Sequence, residues 1–169
     1  VLRENIMTKD VLVSISGLQS EISGDESEEN APLEVVTPAS YFLKNGKHYV
    51  LFDEFVEGTP GVTKNKIKIS GNDCVEIIKT GITNAHMVFE RKKKNVTYYQ
   101  TPFGQILVGL NTRDMDVKVT DRNIDVRVDY EMDVNYEPLA DCTVKVNIIP
   151  RDSEEFALSR RFVVGDAGF

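Results

Sequence analysis

The chain has 169 residues, of which 41% are hydrophobic, and its 20 basic and 27 acidic side chains give a net charge of −7. That length fits one domain with a core large enough to fold without disulfides or metals. The acidic balance excludes the broad basic face that phosphate binding requires, so no nucleic-acid partner is predicted.

The N-terminal stretch VLRENIMTKD lacks the charged and then apolar segments of a signal peptide. No run approaches the roughly 18 apolar residues of a membrane helix, so no membrane association is expected. A cytoplasmic protein is therefore predicted, although the start at Val1 rather than methionine is compatible with removal of a leader.

Alternation of apolar and polar residues, the period of a half-buried strand, begins near the N-terminus and recurs to about residue 149. Val11, Val13 and Ile15 share one face of the first segment. The acidic stretch SGDESEEN at residues 23–30 then predicts a solvated loop. Asn45-Gly46 follows between two apolar runs and predicts a tight antiparallel hairpin, since this dipeptide readily adopts positive φ angles.

Further strand-like segments follow, separated by short turn signals such as Gly71-Asn72-Asp73 and the basic turn at residues 92–94. They read NKIKIS, CVEIIKT, HMVFERK, VTYYQT, QILVGLNT, DMDVKVT, NIDVRVDYEMDV and CTVKVNII. About ten or eleven short strands joined by hairpin-length turns indicate an all-β protein. Because closure removes exposed sheet edges, we predict a closed up-and-down antiparallel barrel of about 8–10 strands, with an open or sandwiched sheet as the second interpretation.

The C-terminal tail has a different pattern. RDSEEFALSRRF offers Asp152 as an N-cap, Glu155 three residues later, and Arg160 and Arg161 in the last turn. These signals predict a short helix at about residues 153–161 that lies against the barrel wall or caps one end. We therefore interpret residues 1–169 as one domain, with the barrel at about 8–149 and the helical tail at 150–169.

Catalytic and metal-binding signatures are absent from the sequence. It contains no Gly-x-Ser-x-Gly, His-Glu-x-x-His, Cys-x-x-Cys or phosphate-loop motif. The histidines, His48 and His86, are too few for a zinc site without carboxylates, and Cys74 and Cys142 are expected to be buried as small apolar side chains. No catalytic residue, metal or cofactor is therefore named, and an enzyme is the third of three functional interpretations.

Several motifs resemble those of the YwiB-like bacterial proteins of unknown function. They are DEF at residues 53–55, KTG at 79–81, MVF at 87–89 and YYQTPFG at 98–104. The resemblance covers about residues 8–149 and implies a small cytoplasmic protein with a calycin-like (lipocalin-like) barrel. In that family the position of Lys79 is commonly arginine, so this chain keeps the charge and lacks the planar fork that grips a carboxylate. Calycins bind small apolar molecules inside the barrel, which makes ligand binding here an analogy from the fold.

Glu54 and Lys79 are the pair of charges most relevant to a site. Regular alternation places Glu54 on one face with Phe52, and Lys79 on one face with Ile77. Since a charge among apolar neighbours is costly without a partner, the two are expected to meet if both faces point inward. Their pair, with hydroxyls from Tyr99 and Thr101, would be either a polar anchor for a ligand at the barrel mouth or a structural ion pair.

The remaining candidates lie on the row of apolar residues expected to face inward, and they are Met87, Phe89, Tyr130 and Met132. Such bulky side chains either fill a small barrel or line a cavity for one ligand. The leading hypothesis is a non-enzymatic barrel that binds a small, partly apolar ligand. The alternative is a filled barrel that acts as a homodimer through an outer apolar patch, because YVLF, VEIIK, TYY and QILVGL are apolar on both faces.

Overall fold

The computed structural model describes residues 9–17, 34–55, 57–58 and 60–151. These residues form ten antiparallel strands in the order β6-β5-β4-β3-β2-β1-β10-β9-β8-β7. Their bounds are β1 Lys9–Ser16, β2 Glu34–Lys44, β3 Lys47–Glu54, β4 Thr63–Ser70, β5 Cys74–Thr80, β6 Ala85–Glu90, β7 Lys94–Thr101, β8 Gly104–Val119, β9 Ile124–Val134 and β10 Glu137–Pro150. The acidic loop at 23–30 and the helix at 153–161 lie outside the described residues.

Short turns connect β2 to β3 and each consecutive pair of strands from β4 onward. Asn45 and Gly46 both have positive φ, 53° and 74°, which confirms the predicted tight turn between β2 and β3. Asn135 and Tyr136 form the β9–β10 turn with φ of 50° and 69°, although neither is glycine. The first and last strands pair along most of β1, with Val13 opposite Ile148, so the meander curls into a nearly closed barrel.

The prediction of separate strands for QILVGLNT and DMDVKVT is wrong, because both belong to β8. A bulge between Thr112 and Asp114 inserts one extra residue against β9. Leu110 and Thr112 precede the bulge on the inward face, and Met115 follows it. A bulge shifts the two-residue period by one, and a continuous strand then looks like two segments in the sequence.

Side chains on the inward faces pack the middle of the barrel. The largest residues that are less than 2% exposed are Tyr130, Phe89, Ile67, Ile69, Ile77, Met87, Leu110, Met132, Val13, Val50, Val75 and Val108. Along β9, every second residue from Ile124 to Met132 is buried, while Asp125 and Arg127 are exposed. This confirms that the strongest alternation in the sequence marks a strand of the barrel wall.

The barrel wall is open between β6 and β7, the two terminal strands of the sheet. Backbone bonds join Asn84 to Gln100 at 3.0 and 2.8 Å, but the described residues 85–89 and 95–99 form no ladder with each other. At the other end of this hairpin, Lys92 and Lys93 bond to Thr112 of β8 instead. We call the unladdered stretch between 85–89 and 95–99 the seam.

Because the strands alternate in direction, the β3–β4, β5–β6, β7–β8 and β9–β10 connections lie at one end of the barrel, which we call the mouth. Three aromatic side chains in these connections are exposed: Phe55, Phe103 and Tyr136. None of the described residues forms a helix long and apolar enough to cross a membrane.

Candidate functional site

Glu54, Asn65 and Lys79 meet on the inner face of the wall near the mouth, and we call them the mouth cluster. Register places Glu54, the last residue of β3, beside the start of β4, and places Asn65 of β4 directly opposite Lys79 of β5. Lys79 Nζ lies 2.9 Å from Glu54 Oε2, and Asn65 Nδ2 donates to the same oxygen at 3.0 Å. The strand alternation therefore brings the two predicted charges together.

The mouth cluster is partly shielded from water. The side chain of Lys79 is 10% exposed and that of Glu54 is 33% exposed. Burial alone would raise the pKa of Glu54, but the hydrogen bond and charge of Lys79, with the Asn65 amide, bring this pKa below its usual value. The pair is thus an ionised carboxylate and an ammonium group, and the cluster presents both an acceptor and a donor with no net charge.

A second polar group lies deeper, and we call it the hydroxyl cluster: Tyr99, Thr112 and Tyr130. Thr112 and Cys142 flank Tyr130 on the neighbouring strands in direct register. The three hydroxyl oxygens are buried and have no hydrogen-bond partner among the described residues. Buried polar atoms without a partner are uncommon in native proteins, and each calls for a physical explanation.

The hydroxyl cluster lies behind the seam. The ring of Tyr130 makes an edge contact with Phe89 of β6, with the ring centroids 4.9 Å apart. Tyr99 projects inward from β7, where its side chain is 4% exposed. Burial is the main cause of the raised pKa of both tyrosines, so both remain neutral across the physiological range.

Cys142 is a weak partner for Tyr130. The thiol lies close enough to influence the pKa of the phenol, but the phenol oxygen has no hydrogen bond of ordinary geometry. Burial raises the pKa of both Cys142 and Cys74, and both are free thiols of intermediate exposure rather than fully buried side chains. A raised pKa keeps a thiol protonated, so neither cysteine has the character of a reactive nucleophile.

The other predicted residues fall in different places. Tyr99 occupies the same row as Lys79, two strands away, with Ala85 of β6 between them. The Thr101 hydroxyl donates a hydrogen bond to the carbonyl of Gly104 at 2.8 Å, which stabilises the β7–β8 turn. Met87, Phe89, Tyr130 and Met132 are at most 1% exposed and form the packed middle of the barrel.

Asn65 and Thr112 were not predicted from the sequence to belong to a polar site. Asn65 stands two residues before Ile67 in TKNKIKIS, so the alternation of this strand indicates that Asn65 points inward. Thr112 stands immediately before the β8 bulge, where the alternation changes phase, and no pattern in the sequence indicates which way it points.

His48 and His86 make separate hydrogen bonds on different strands. His48 accepts or donates a hydrogen bond with the Tyr41 hydroxyl at 2.8 Å, and burial lowers the pKa of this histidine. His86 lies on the outer surface 2.8 Å from Glu76. Within the described ranges, no group of three or more His, Cys, Asp or Glu side chains is placed to bind a metal ion.

Outward-facing apolar residues gather in two places on the barrel wall. On β2 and β3, Phe42 and Tyr49 stack with their ring centroids 4.8 Å apart, and Leu51 lies further along β3. On β7, Val96 and Tyr98 are 50% and 61% exposed. The strands predicted to be apolar on both faces therefore do present apolar side chains outward.

Comparisons with known proteins bear on the fold. A model of the family described as a domain of unknown function, DUF1934, matches residues 15–146. The crystal structure of the YwiB protein from Bacillus subtilis is similar to this chain with a TM-score of 0.67 and 16% sequence identity, over 85% of this chain and 92% of that one. No curated protein matches the chain.

Proposed function

Since the chain belongs to the DUF1934 family of YwiB-like barrels, as its motifs indicated, we propose that it binds a small, partly apolar molecule inside the barrel, with Glu54 and Lys79 at the polar end of the site. The observation that carries the proposal is the mouth cluster. It presents a paired carboxylate and ammonium group on a mostly apolar inner surface, where they would orient one polar group of a ligand.

The hydroxyl cluster supports the same proposal. Leaving a buried hydroxyl without a partner costs about 1–3 kcal/mol, which a bound polar group would offset. Four such hydroxyls occur among the described residues: three belong to Tyr99, Thr112 and Tyr130, and the fourth belongs to Thr63. A ligand between the mouth cluster and these hydroxyls would satisfy groups that the protein alone leaves unpaired.

The position of the ligand follows from the packing. The middle of the barrel is packed, since Met87 and Met132 are each 1% exposed. Ala85 is the small residue in the row between Lys79 and Tyr99. We therefore propose that the ligand lies over Ala85, above the packed layer, rather than in a central lumen.

Titration with Nile red, a neutral apolar dye that bears a ketone, tests this location by fluorescence. The wild type should bind one dye molecule saturably. Ala85→Met would place a longer side chain on the proposed ligand path and should weaken binding at least tenfold, whereas His86→Met, one residue along and facing outward, should leave affinity unchanged. Circular dichroism checks that both variants fold, and the absence of any saturable binding by the wild type would refute the proposal.

The alternative function is a filled barrel that acts as a homodimer through an outer apolar patch. The packed layer and the stacked Phe42 and Tyr49 favour it. Sedimentation at several concentrations tests it: a dimer that Tyr49→Lys dissociates would support this function, and a strict monomer at all concentrations would contradict it. A cytoplasmic location is part of both proposals.

A further inference from the structure

The two polar clusters and the seam together restrict the chemistry of the ligand and its route of entry, provided that the proposed function is correct. We propose that the ligand is uncharged, that it carries a hydrogen-bonding group such as a carbonyl or hydroxyl, and that it reaches the hydroxyl cluster between β6 and β7.

The hydroxyl cluster favours an uncharged ligand. Tyr99, Thr112 and Tyr130 are 4%, 1% and 1% exposed, and all three offer uncharged hydroxyls. Tyr130 also contacts the ring of Phe89 and lies opposite Cys142, and both of these side chains are uncharged. No charged side chain pairs with these oxygens in the described part of the chain, so an ionised group brought here would lose its water without gaining a counter-charge.

The mouth cluster leads to the same restriction. Lys79 is already paired with Glu54 at 2.9 Å, and Asn65 donates a hydrogen bond to the same carboxylate oxygen. An anionic ligand at Lys79 would also face the negative charge of Glu54, and a cationic one at Glu54 would face the positive charge of Lys79, so the pair offers neither ligand a net counter-charge. A neutral polar group can instead accept a hydrogen bond from one partner while their ion pair stays intact.

The seam explains how a ligand reaches hydroxyls that are closed off in the free protein. In a regular hairpin with the register of the Asn84–Gln100 bridge, Val88 would pair with Val96 and His86 with Tyr98, and the structure contains neither pair. Moving β6 away from β7 therefore breaks few backbone bonds. Elsewhere in the wall, a comparable opening would break a continuous ladder such as that of β4 with β5.

The inward residues beside the seam differ in polarity between its two sides. Asn95 of β7 has a buried Nδ2 without a partner in the described structure, and Tyr99 follows on the same face of this strand. On the opposite side of the seam, Met87 and Phe89 of β6 are apolar and buried. Opening the seam thus exposes a surface with an apolar side and a neutral polar side, which fits a small molecule with one polar group.

Amide hydrogen exchange tests the seam. The backbone N–H of Asn84 points to Gln100, so the N–H groups of the alternate residues His86 and Val88 point toward the seam. The N–H groups of Met87 and Phe89 point the other way, toward β5. The amides of Val88 and Val96 should exchange at least tenfold faster than those of Met87 and Phe89. Equal protection at all four positions would show that the strands are laddered in solution and would overturn the seam route.

Competition between two dyes of different charge tests the ligand class. Nile red should bind with at least tenfold higher affinity than cis-parinaric acid, which carries a carboxylate. Tyr99→Phe and Tyr130→Phe should each weaken Nile red about two- to tenfold, the range expected for one lost hydrogen bond. Tyr98→Phe is the matched control, since Tyr98 is the outward neighbour on β7, and it should change nothing.

The outcomes separate this inference from the proposed function. The inference is overturned if cis-parinaric acid binds as tightly as Nile red, or if neither inward tyrosine variant changes the affinity for Nile red. The proposed function, a ligand-binding barrel, would stand in either case. The absence of saturable binding by either dye would overturn both. Because the two inward hydroxyls have no partner, their removal should leave the stability of the free protein unchanged or higher, so loss of folding does not obscure the result.

Discussion

Lys79→Met removes the cation of the mouth cluster and keeps a long apolar stem, so it isolates the role of the charge. Breaking an exposed ion pair costs about 0.2–1 kcal/mol, whereas removing one partner of a buried pair costs about 3–5 kcal/mol. Lys79 is 10% exposed and Glu54 is 33% exposed, so water can rehydrate the remaining carboxylate in part. We expect a loss of about 1–2 kcal/mol in the free energy of unfolding at pH 7.

The pH dependence of this loss follows from the pKa of Glu54. In the wild type this pKa is below its unfolded value, so the carboxylate contributes stability above the unfolded pKa, and that stability is lost as pH falls through the folded pKa. Without Lys79, burial becomes the dominant influence and raises the pKa of Glu54 above its unfolded value. The variant should therefore recover part of its lost stability as Glu54 protonates, and the difference from wild type should shrink toward acid pH.

Urea unfolding at pH 7 and at about pH 4, with an NMR titration of the Glu54 carboxyl carbon, measures both effects. Lys118→Met is the matched control, because Lys118 lies 3.6 Å from Asp116 and the two side chains are 74% and 57% exposed. It should cost at most about 1 kcal/mol. The reasoning is refuted if Lys79→Met costs no more than this control and the pKa of Glu54 stays below its usual value.

Four further substitutions test the fold by urea unfolding. Gly17→Ala should cost about 2 kcal/mol or more, because φ is +80° and a Cβ would collide with the backbone carbonyl of Thr143. Gly46→Ala is its control, since a Cβ there has open space and should cost only about 1–2 kcal/mol for the positive φ. Equal losses of stability in the two variants would contradict the predicted collision. Tyr136→Gly should stabilise the protein by about 0.5–1 kcal/mol, because the exposed tyrosine has a φ of 69°, and a loss of stability would contradict the strain. Phe89→Ala should cost about 3–5 kcal/mol, since Phe89 is fully buried, and a loss below about 1 kcal/mol would show that the packed layer is loose.

Regular alternation made most of the wall predictable from the sequence. The period in Ile124–Val134 identifies β9 and its inward face, and Asn45-Gly46 identifies the β2–β3 turn. Alternation carries no information on residues that change its phase. The β8 bulge therefore concealed the continuity of the strand, and Asn135-Tyr136 concealed a hairpin because tyrosine is not a typical turn residue.

The site was predictable only where burial imposed a pairing. Glu54 and Lys79 had to meet because both interrupt apolar faces, and the structure brings them together at 2.9 Å. The burial of Tyr99 on β7 and of Tyr130 on β9 depends on the curvature of the sheet across β7, β8 and β9, which no local pattern encodes. The seam is likewise a property of closure, since HMVFERKKKNVTYYQT reads as an ordinary hairpin.

Native mass spectrometry of the protein purified from its own source tests the central claim of a ligand-binding barrel most directly. The account predicts a species heavier than the chain by the mass of one small molecule, which is released on denaturation and is absent from Ala85→Met. A spectrum that contains only the bare chain, with no one-to-one complex after addition of Nile red, would contradict it.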